Sequence, residues 1–243
     1  MSTVALIPAR GGSERIKRKN VRPLGKHPLL AYTISTALQS GVFDKVLVSS
    51  DDLVTLGLAQ TYGADALRRP DEFATSTSPD IDWVRHALFT LGKQGDTFTD
   101  YSILRPTSPF RSVDLIQAAH LEWLTAKDSG FTSLRAVEPV GQHPGKMWQV
   151  QASGQITPLL LQPAHAYHDS QKAALPKLWV QNACIEFSTP ETVVSMGSIS
   201  GDNVYGFKME STDSEGFDLN TLADWEAAEM LLEVGEATLP EVK

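Results

Sequence analysis

The sequence predicts an α/β fold built on a mainly parallel sheet with helices on both faces. Apolar runs of strand length alternate with amphipathic segments of helix length along most of the 243 residues. Polar loops follow several of these runs, and such loops are where open α/β sheets bind ligands. The chain is 42% hydrophobic and 21% charged, as ordinary soluble globular proteins are. This length supplies ample material for a buried core.

The predicted elements follow one another in strand-then-helix order. The first strand is the apolar run 4–7. The first helix is predicted over 28–41, because proline is typical of a first helical turn and glycine of a helix end. The other predicted strands are 46–48, 64–67, 101–104, 131–137, 180–187 and 204–209. The other predicted helices are 53–62, 81–91, 113–127 and 221–234.

A basic loop leaves the first strand. Between Arg10 and Asn20 it carries five cations together with the pair Gly11-Gly12. Glycines let the backbone approach an anion, amide N–H groups cradle it, and Arg and Lys neutralise it. The loop therefore predicts a polyphosphate ligand, with a merely solvated basic loop as the alternative. The glycine pair matches neither a Walker loop nor the dinucleotide fingerprint.

Three further polar stretches are expected near this loop. Segments 49–52 and 105–111 follow predicted strands, and 213–220 precedes the last helix. Two prolines make 105–111 a rigid loop. Together with a carboxylate, these loops suit a metal-bound nucleoside triphosphate, because Mg²⁺ takes one or two carboxylates with phosphate oxygens and water. Cations and the metal stabilise the charge that builds on a transferring phosphoryl or nucleotidyl group.

The composition of the chain limits the kinds of partner and the cellular compartment that we expect. The formal net charge of −8 argues against binding to nucleic acid or to an anionic membrane, so the basic loop is expected to select a small anion. The one cysteine, Cys184, excludes an internal disulfide and indicates a reducing compartment. The sequence contains no run of transmembrane length and no signal-peptide core. We therefore expect a cytoplasmic protein.

The motifs, taken together and in order, resemble one family. The segment 7–13 with Lys19 and Asn20, followed by 105–111, is similar to the acylneuraminate cytidylyltransferases, the CMP-sialic acid synthetases. The resemblance continues through 48–51, Arg69-Pro70, Asn182 and 218–224. It implies a single Rossmann-like domain over 1–243, of the nucleotide-diphospho-sugar transferase type, with an inserted dimerisation arm around 138–180. It also implies Mg²⁺, a homodimer, and transfer of CMP from CTP to a sialic, legionaminic or pseudaminic acid with release of pyrophosphate.

The resemblance also implies roles for individual residues. The expected nucleotide-binding residues are Arg10, Gly11, Gly12, Ser13, Lys19, Asn20, Arg69 and Ser108. The expected acceptor-binding residues are Arg105, Arg111, Lys146, Lys172 and Asn182. The expected metal-binding residues are Asp218 and Asn220, and the expected catalytic residues are Arg10, Lys19 and Asp218.

The chain departs from the family pattern mainly on the acceptor side. Arg105 stands where Gln is common, and Asn220 replaces the second carboxylate of an Asp-X-Asp pair. Lys172-Ala173 stands where Arg-Gln is common, and Glu14 stands where Lys is often found. Asn182-Ala183-Cys184 replaces Asn-Gly-Ala. Two alternatives stay open at this point: transfer to another anionic acceptor such as a phosphonate or another keto-acid sugar, and a catalytically weak paralogue that binds nucleotide.

Overall fold

The computed structural model describes residues 2–160, 167–209 and 214–243. Asp213, at the start of one predicted polar stretch, and residues 161–166 of the predicted arm lie outside these ranges. The strands are, in chain order, β1 (Thr3–Pro8), β2 (Pro23–Leu24), β3 (His27–Pro28), β4 (Lys45–Ser50), β5 (Asp65–Arg68), β6 (Asp100–Ile103), β7 (Ser133–Pro139), β8 (Trp148–Val150), β9 (Ile156–Pro158), β10 (Trp179–Ser188) and β11 (Val204–Lys208). The helices are α1 (Leu29–Gln39), α2 (Leu53–Thr61), α3 (Asp80–Lys93), α4 (Val113–Asp128), α5 (Pro190–Met196) and α6 (Leu222–Glu233).

Seven strands form one sheet in the order β11-β7-β10-β6-β1-β4-β5. β1 pairs in parallel with β4 and β6, β4 with β5, and β7 with β11. β10 runs antiparallel to both of its neighbours, β6 and β7. The predicted mainly parallel α/β sheet is therefore confirmed, and β10 is an antiparallel strand inside it.

Helices cover both faces of the sheet, as predicted. In β1 the side chains alternate between faces: Ala5 and Ile7 pack with α1 and α4, whereas Val4 and Leu6 pack with α3. A third apolar cluster joins α1 to α6 and the C-terminal residues. Because β1 is covered on both faces, its Val4–Ile7 run is apolar throughout.

Side-chain caps mark the first turns of two helices, α2 and α6, that follow the polar loops. The Asp52 carboxylate accepts a hydrogen bond from the Thr55 N–H and so caps α2. Thr221 and Asp224 form a reciprocal capping box at the start of α6. These caps end the loops at defined residues, so the polar segments before α2 and α6 are held close to the strand ends.

Between β7 and β10 the chain leaves the main sheet. β8 and β9 pair with each other as a small antiparallel ribbon, with Trp148 opposite Pro158. No helix in the described ranges is long and apolar enough to cross a membrane.

Candidate active site

Two adjoining cavities lie where the polar loops meet. The first has a volume of about 230 Å³ and is called here the basic cavity. Its charged lining residues are Arg10, Glu14, Arg15, Lys19, Arg69, Asp80 and Arg105. The second has a volume of about 730 Å³ and is called the mixed-charge cavity. Its charged lining residues are Asp80, Arg105, Arg135, Glu138, Glu186 and Asp218.

The two cavities differ in charge and share one wall. Five cations and two carboxylates line the basic cavity, which leaves three formal positive charges. Two cations and four carboxylates line the mixed-charge cavity, which leaves two formal negative charges. Asp80 and Arg105 belong to both linings. One side of the cleft therefore attracts a polyanion, and the other does not.

The basic loop packs closely against the start of α2. The Gly11 N–H donates a 2.8 Å hydrogen bond to the Asp51 carboxylate. A Cβ atom on Gly11 would lie 2.7 Å from the Cβ of Asp52, whereas a Cβ on Gly12 would meet nothing within 4 Å. Glycine is therefore required at position 11 by close packing, and position 12 has space for a side chain.

Lys19 and Asn20 tie the far end of the loop to the rest of the site. The Asn20 amide donates to the Arg10 carbonyl at 3.1 Å, which closes the loop on itself. Lys19 Nζ donates to the Leu219 carbonyl at 2.8 Å. Burial lowers the pKa of Lys19 below its ordinary value, and the nearby Asp218 carboxylate opposes that effect. The predicted phosphate loop and the predicted metal segment are thus in direct contact.

Arg69 forms a rigid part of the basic cavity. Its side chain is buried, and its guanidinium donates to the Ser49 hydroxyl and to the Ser49 carbonyl, both at 3.0 Å. The guanidinium carbon also lies 4.9 Å from the centre of the Trp83 ring. Burial lowers the pKa of Arg69 to about 10, so the group stays charged at neutral pH.

Arg105 lies at the junction of the two cavities. Its NH2 group donates to Asp80 Oδ2 at 2.7 Å and to Glu186 Oε1 at 3.0 Å. Burial would lower the pKa of Arg105, but Glu186 and Asp80 outweigh burial and raise it. For Asp80, burial is the largest influence and favours the neutral acid, but the charge and hydrogen bond of Arg105 together with Trp83 and Arg69 outweigh it and hold the pKa of Asp80 below its ordinary value.

Four charged residues of the mixed-charge cavity were not among the site residues predicted from the sequence, namely Asp80, Arg135, Glu138 and Glu186. Glu186 accepts from Arg105 through one oxygen and pairs with Arg135 through the other, at 3.0 Å. A signal was present in the sequence: Arg135 and Glu186 are single charged residues inside apolar strand segments. A charge in such a position is typically paired, because an unpaired buried charge is costly.

Two residues predicted to bind ligands lie beneath the cavities rather than in their linings. Arg111 is 1% exposed and donates to the Cys184 carbonyl at 2.6 Å and to the Arg105 carbonyl at 2.8 Å. The buried Ser108 hydroxyl has no hydrogen-bond partner among the described residues. Arg111 therefore supports the backbone of Arg105, and direct contact of either residue with a ligand stays a prediction.

Of the other predicted acceptor-binding residues, Asn182 lines the mixed-charge cavity and the two lysines line neither cavity. The Asn182 amide donates to Glu138 at 3.2 Å and accepts from the Cys184 N–H at 3.1 Å. Lys146 Nζ donates to the Ser170 carbonyl at 2.5 Å, and Lys172 Nζ to the Gly141 carbonyl at 2.9 Å. Lys146 Nζ also donates to the His168 carbonyl at 3.1 Å. An acceptor contact within this cleft would therefore require either lysine to move from its present position.

The predicted metal segment offers one carboxylate and one amide. The Asn220 amide donates to Asp218 Oδ2 at 2.6 Å. Asp218 Oδ1 is buried and has no partner among the described residues. Within those residues no group of three or more His, Cys, Asp or Glu side chains is placed to hold a metal ion. The donors therefore fit a cation that takes one protein carboxylate and fills its other positions with phosphate oxygens and water.

The known proteins that this chain resembles are cytidylyltransferases and CMP-sugar synthases. The family model described as cytidylyltransferase matches residues 4–124. The CMP-N,N'-diacetyllegionaminic acid synthase of Legionella pneumophila is 31% identical over 242 residues, which cover 98% of this chain and 100% of that protein. The pseudaminic acid cytidylyltransferase of Campylobacter jejuni is 36% identical over 129 residues, which cover 51% of this chain and 54% of that protein.

The N-acylneuraminate cytidylyltransferase of Escherichia coli is 44% identical over 122 residues, which cover 49% of this chain and 27% of that protein. Among solved structures, a CMP:2-keto-3-deoxy-manno-octonic acid synthetase complexed with CTP superposes with a TM-score of 0.70. That superposition covers 97% of this chain and 100% of the other at 14% identity, so it shows a common fold.

Proposed function

This chain belongs to the cytidylyltransferase family, and from that premise we propose that it transfers CMP from CTP to a nonulosonic acid with release of pyrophosphate. The observation that carries the proposal is the pair of adjoining cavities. One is lined by an excess of cations and the other by mixed charges, and Arg105 belongs to both. This arrangement suits a polyanionic donor beside an acceptor of lower charge.

The donor occupies the basic cavity in this proposal. Arg10, Lys19 and Arg69 line this cavity and supply positive charge for the triphosphate. Gly11 and Gly12 are not in its lining, and Gly11 instead lets the loop pack closely against the start of α2. Ser13 also lines this cavity, and Asn20 closes the loop through the Arg10 carbonyl. Charges fixed in this way cost no rearrangement as negative charge develops on the leaving pyrophosphate.

The acceptor occupies the mixed-charge cavity, with Asn182 and Arg105 in its lining. Its hydroxyl oxygen attacks the α-phosphorus of CTP. A new oxygen–phosphorus bond forms while the bond to the pyrophosphate oxygen breaks, and the hydroxyl proton is released. Arg10 and Lys19 stabilise the departing pyrophosphate by charge-assisted hydrogen bonds.

Mg²⁺ is the proposed cofactor. Asp218 supplies the carboxylate that would hold the ion, and the Asn220 amide, bonded to the other oxygen of that carboxylate, lies beside it. When bound, such an ion neutralises phosphate charge. The Lys19 contact with the Leu219 carbonyl holds this segment against the basic loop.

The segment around 138–180 is proposed as the arm of a homodimer. It carries exposed apolar side chains on the β8–β9 ribbon, just before it and at the start of β10, namely Met147, Trp148, Val150, Ile156, Trp179 and Val180. A second copy of the chain would remove them from water. A Trp148→Ser, Ile156→Ser double variant is expected to be monomeric by light scattering, and an unchanged mass would contradict the arm assignment.

The compartment proposed for this protein is the cytoplasm. Cys184 is buried and forms no disulfide, which is consistent with a reducing environment.

The test of the function is an acceptor screen with CTP and Mg²⁺ fixed. The acceptors are N,N'-diacetyllegionaminic acid, an N-acylneuraminate, pseudaminic acid and 2-keto-3-deoxy-manno-octonic acid. Pyrophosphate release and the mass of the product are measured, with ATP, GTP and UTP as donor controls. We expect a CMP-sugar from at least one nonulosonic acid. CTP binding without any CMP-sugar would favour a nucleotide-binding paralogue instead.

A further inference from the structure

We propose that Glu186 is a positioning residue that sets the charge of the acceptor this enzyme selects. It does so by holding Arg105 and Arg135 in a chain of alternating charges, Asp80–Arg105–Glu186–Arg135. The inference rests on the proposed function, since it takes the mixed-charge cavity as the acceptor site. Of these four residues only Arg105 belongs to the family motifs of this sequence, and Glu186 does not.

The sheet places Glu186 between the two arginines. Glu186 lies on β10, opposite Arg135 on β7 and opposite Ile103 on β6, two residues before Arg105. Its neighbours Ile185 and Phe187 point to the other face and pack in the core. One carboxylate therefore bridges the strands on both sides of it, and its side chain is 8% exposed.

The ion pairs with Asp80 and Glu186 compensate the charge of Arg105, but some of its N–H groups remain free to donate hydrogen bonds. Its NH2 group is occupied by Asp80 and Glu186. The NH1 group has only a 3.5 Å contact with Asp80, and Nε has no bond to the described residues. Arg135 is held in the same way by Glu186, Ser200 and Gln181. The four-residue chain is neutral and keeps directional N–H donors at the cavity wall.

This wall favours an acceptor with one negative charge. Free N–H groups of Arg105 bind a carboxylate, but Asp80 and Glu186 already compensate the charge of Arg105, so the wall offers no net positive charge to a second negative charge on the acceptor. A phosphonate or phosphate acceptor, which an unpaired Arg105 would suit, is therefore disfavoured. Arg105 acts as a fixed donor whose charge is already compensated.

The experiment compares wild type with Glu186→Gln, which keeps the side-chain shape and removes its charge. We expect KM for the sugar acid to rise about tenfold, the effect of weakening a charge-assisted hydrogen bond, with KM for CTP within about twofold. Competitive inhibition is measured with an analogue whose carboxylate is replaced by phosphonate. Relative to the carboxylate sugar, its affinity should improve by about tenfold in the variant, because one opposing charge is gone.

Asp100→Asn is the matched control. Asp100 is a buried carboxylate on β6 that accepts from Lys127 Nζ at 2.7 Å and from Trp123, and it lines neither cavity. It should lower the melting temperature without changing either KM or the phosphonate preference. A change in kinetics equal to that of Glu186→Gln would mean that loss of a buried ion pair, and not the position of Arg105, is responsible.

Asp80→Asn keeps the inference testable if Glu186→Gln does not fold. Asp80 is the more exposed partner of Arg105, at 37%, and its loss should shift the anion preference in the same direction. An unchanged acceptor KM and unchanged anion preference in either folded variant would overturn the inference while leaving the proposed function intact. Absence of any CMP-sugar from the wild-type enzyme would instead overturn the proposed function.

Discussion

The two cavities use their cations in different ways. In the basic cavity, Arg10, Arg15 and Lys19 take part in none of the ion pairs formed among the described residues, so their charge remains available to a ligand. In the mixed-charge cavity, Arg105 and Arg135 are both paired with carboxylates. Unpaired cations attract a polyanion at long range, whereas paired ones act through oriented hydrogen bonds. Under the proposed function, the cleft therefore combines electrostatic attraction of the donor with selection of the acceptor by oriented hydrogen bonds.

The largest expected effect comes from Asp218→Asn, at the contact between the two regions. Loss of the carboxylate removes the proposed metal anchor, and kcat should fall by about 10²–10³-fold, which corresponds to several kcal/mol. The measurement is pyrophosphate release at saturating substrates over a Mg²⁺ titration. Glu226→Gln, an exposed carboxylate on α6, is the control and should behave as wild type. Equal activity of the two variants would remove Asp218 from the metal site.

Arg10→Ala should separate donor from acceptor binding. Removing one unpaired cation from the basic cavity is expected to lower kcat/KM for CTP by about 10–100-fold, as for a charge-assisted hydrogen bond. The KM for the sugar should change little. Arg68→Ala is the matched control, because Arg68 lies next to Arg69 but is exposed and pairs with Asp71 outside the cavity. Unchanged CTP kinetics in folded Arg10→Ala would exclude the basic loop as the triphosphate site.

Asn182→Ala tests the other cavity. Its amide bonds to Glu138 and to the Cys184 N–H would be lost, so the wall beside the acceptor should loosen. We expect KM for the sugar acid to rise about 5–10-fold, in line with loss of a partly buried hydrogen bond, with CTP kinetics preserved. Asn203→Ala, which removes an exposed amide bond to the Gly130 carbonyl, should change neither constant. A selective effect on CTP would reverse the assignment of the two cavities.

The smallest expected effects come from comparing Gly11→Ala with Gly12→Ala in the basic loop. A Cβ at position 11 would collide with Asp52, whereas position 12 is open. Gly11→Ala should destabilise the protein by about 1–3 kcal/mol and raise KM for CTP a few-fold, because the loop must move away from α2. Gly12→Ala should be close to wild type in thermal melting and in KM. Equal effects at both positions would show that backbone freedom, rather than packing at Gly11, matters in this loop.

Sequence patterns predicted all seven strands of the main sheet and the five longer helices, α1 to α4 and α6, since each is a strong local signal. The antiparallel direction of β10 was not predicted, because strand direction depends on how the preceding 138–180 segment returns the chain to the sheet. The seven-residue α5 was also missed, since so short a helix shows little periodicity.

For the site, the sequence by itself indicated the proposed donor side, because the residues from Arg10 to Asn20 form one contiguous loop rich in cations and glycine. Tertiary structure decided the acceptor side. Asp80, Arg105, Arg135 and Glu186 come from four separate elements, and their pairing appears only when β10 inserts between β6 and β7. Arg105 looked like a free cation in the sequence. Whether a charge is free or compensated depends on distances of about 3 Å between groups far apart in the chain, and only the fold sets those distances.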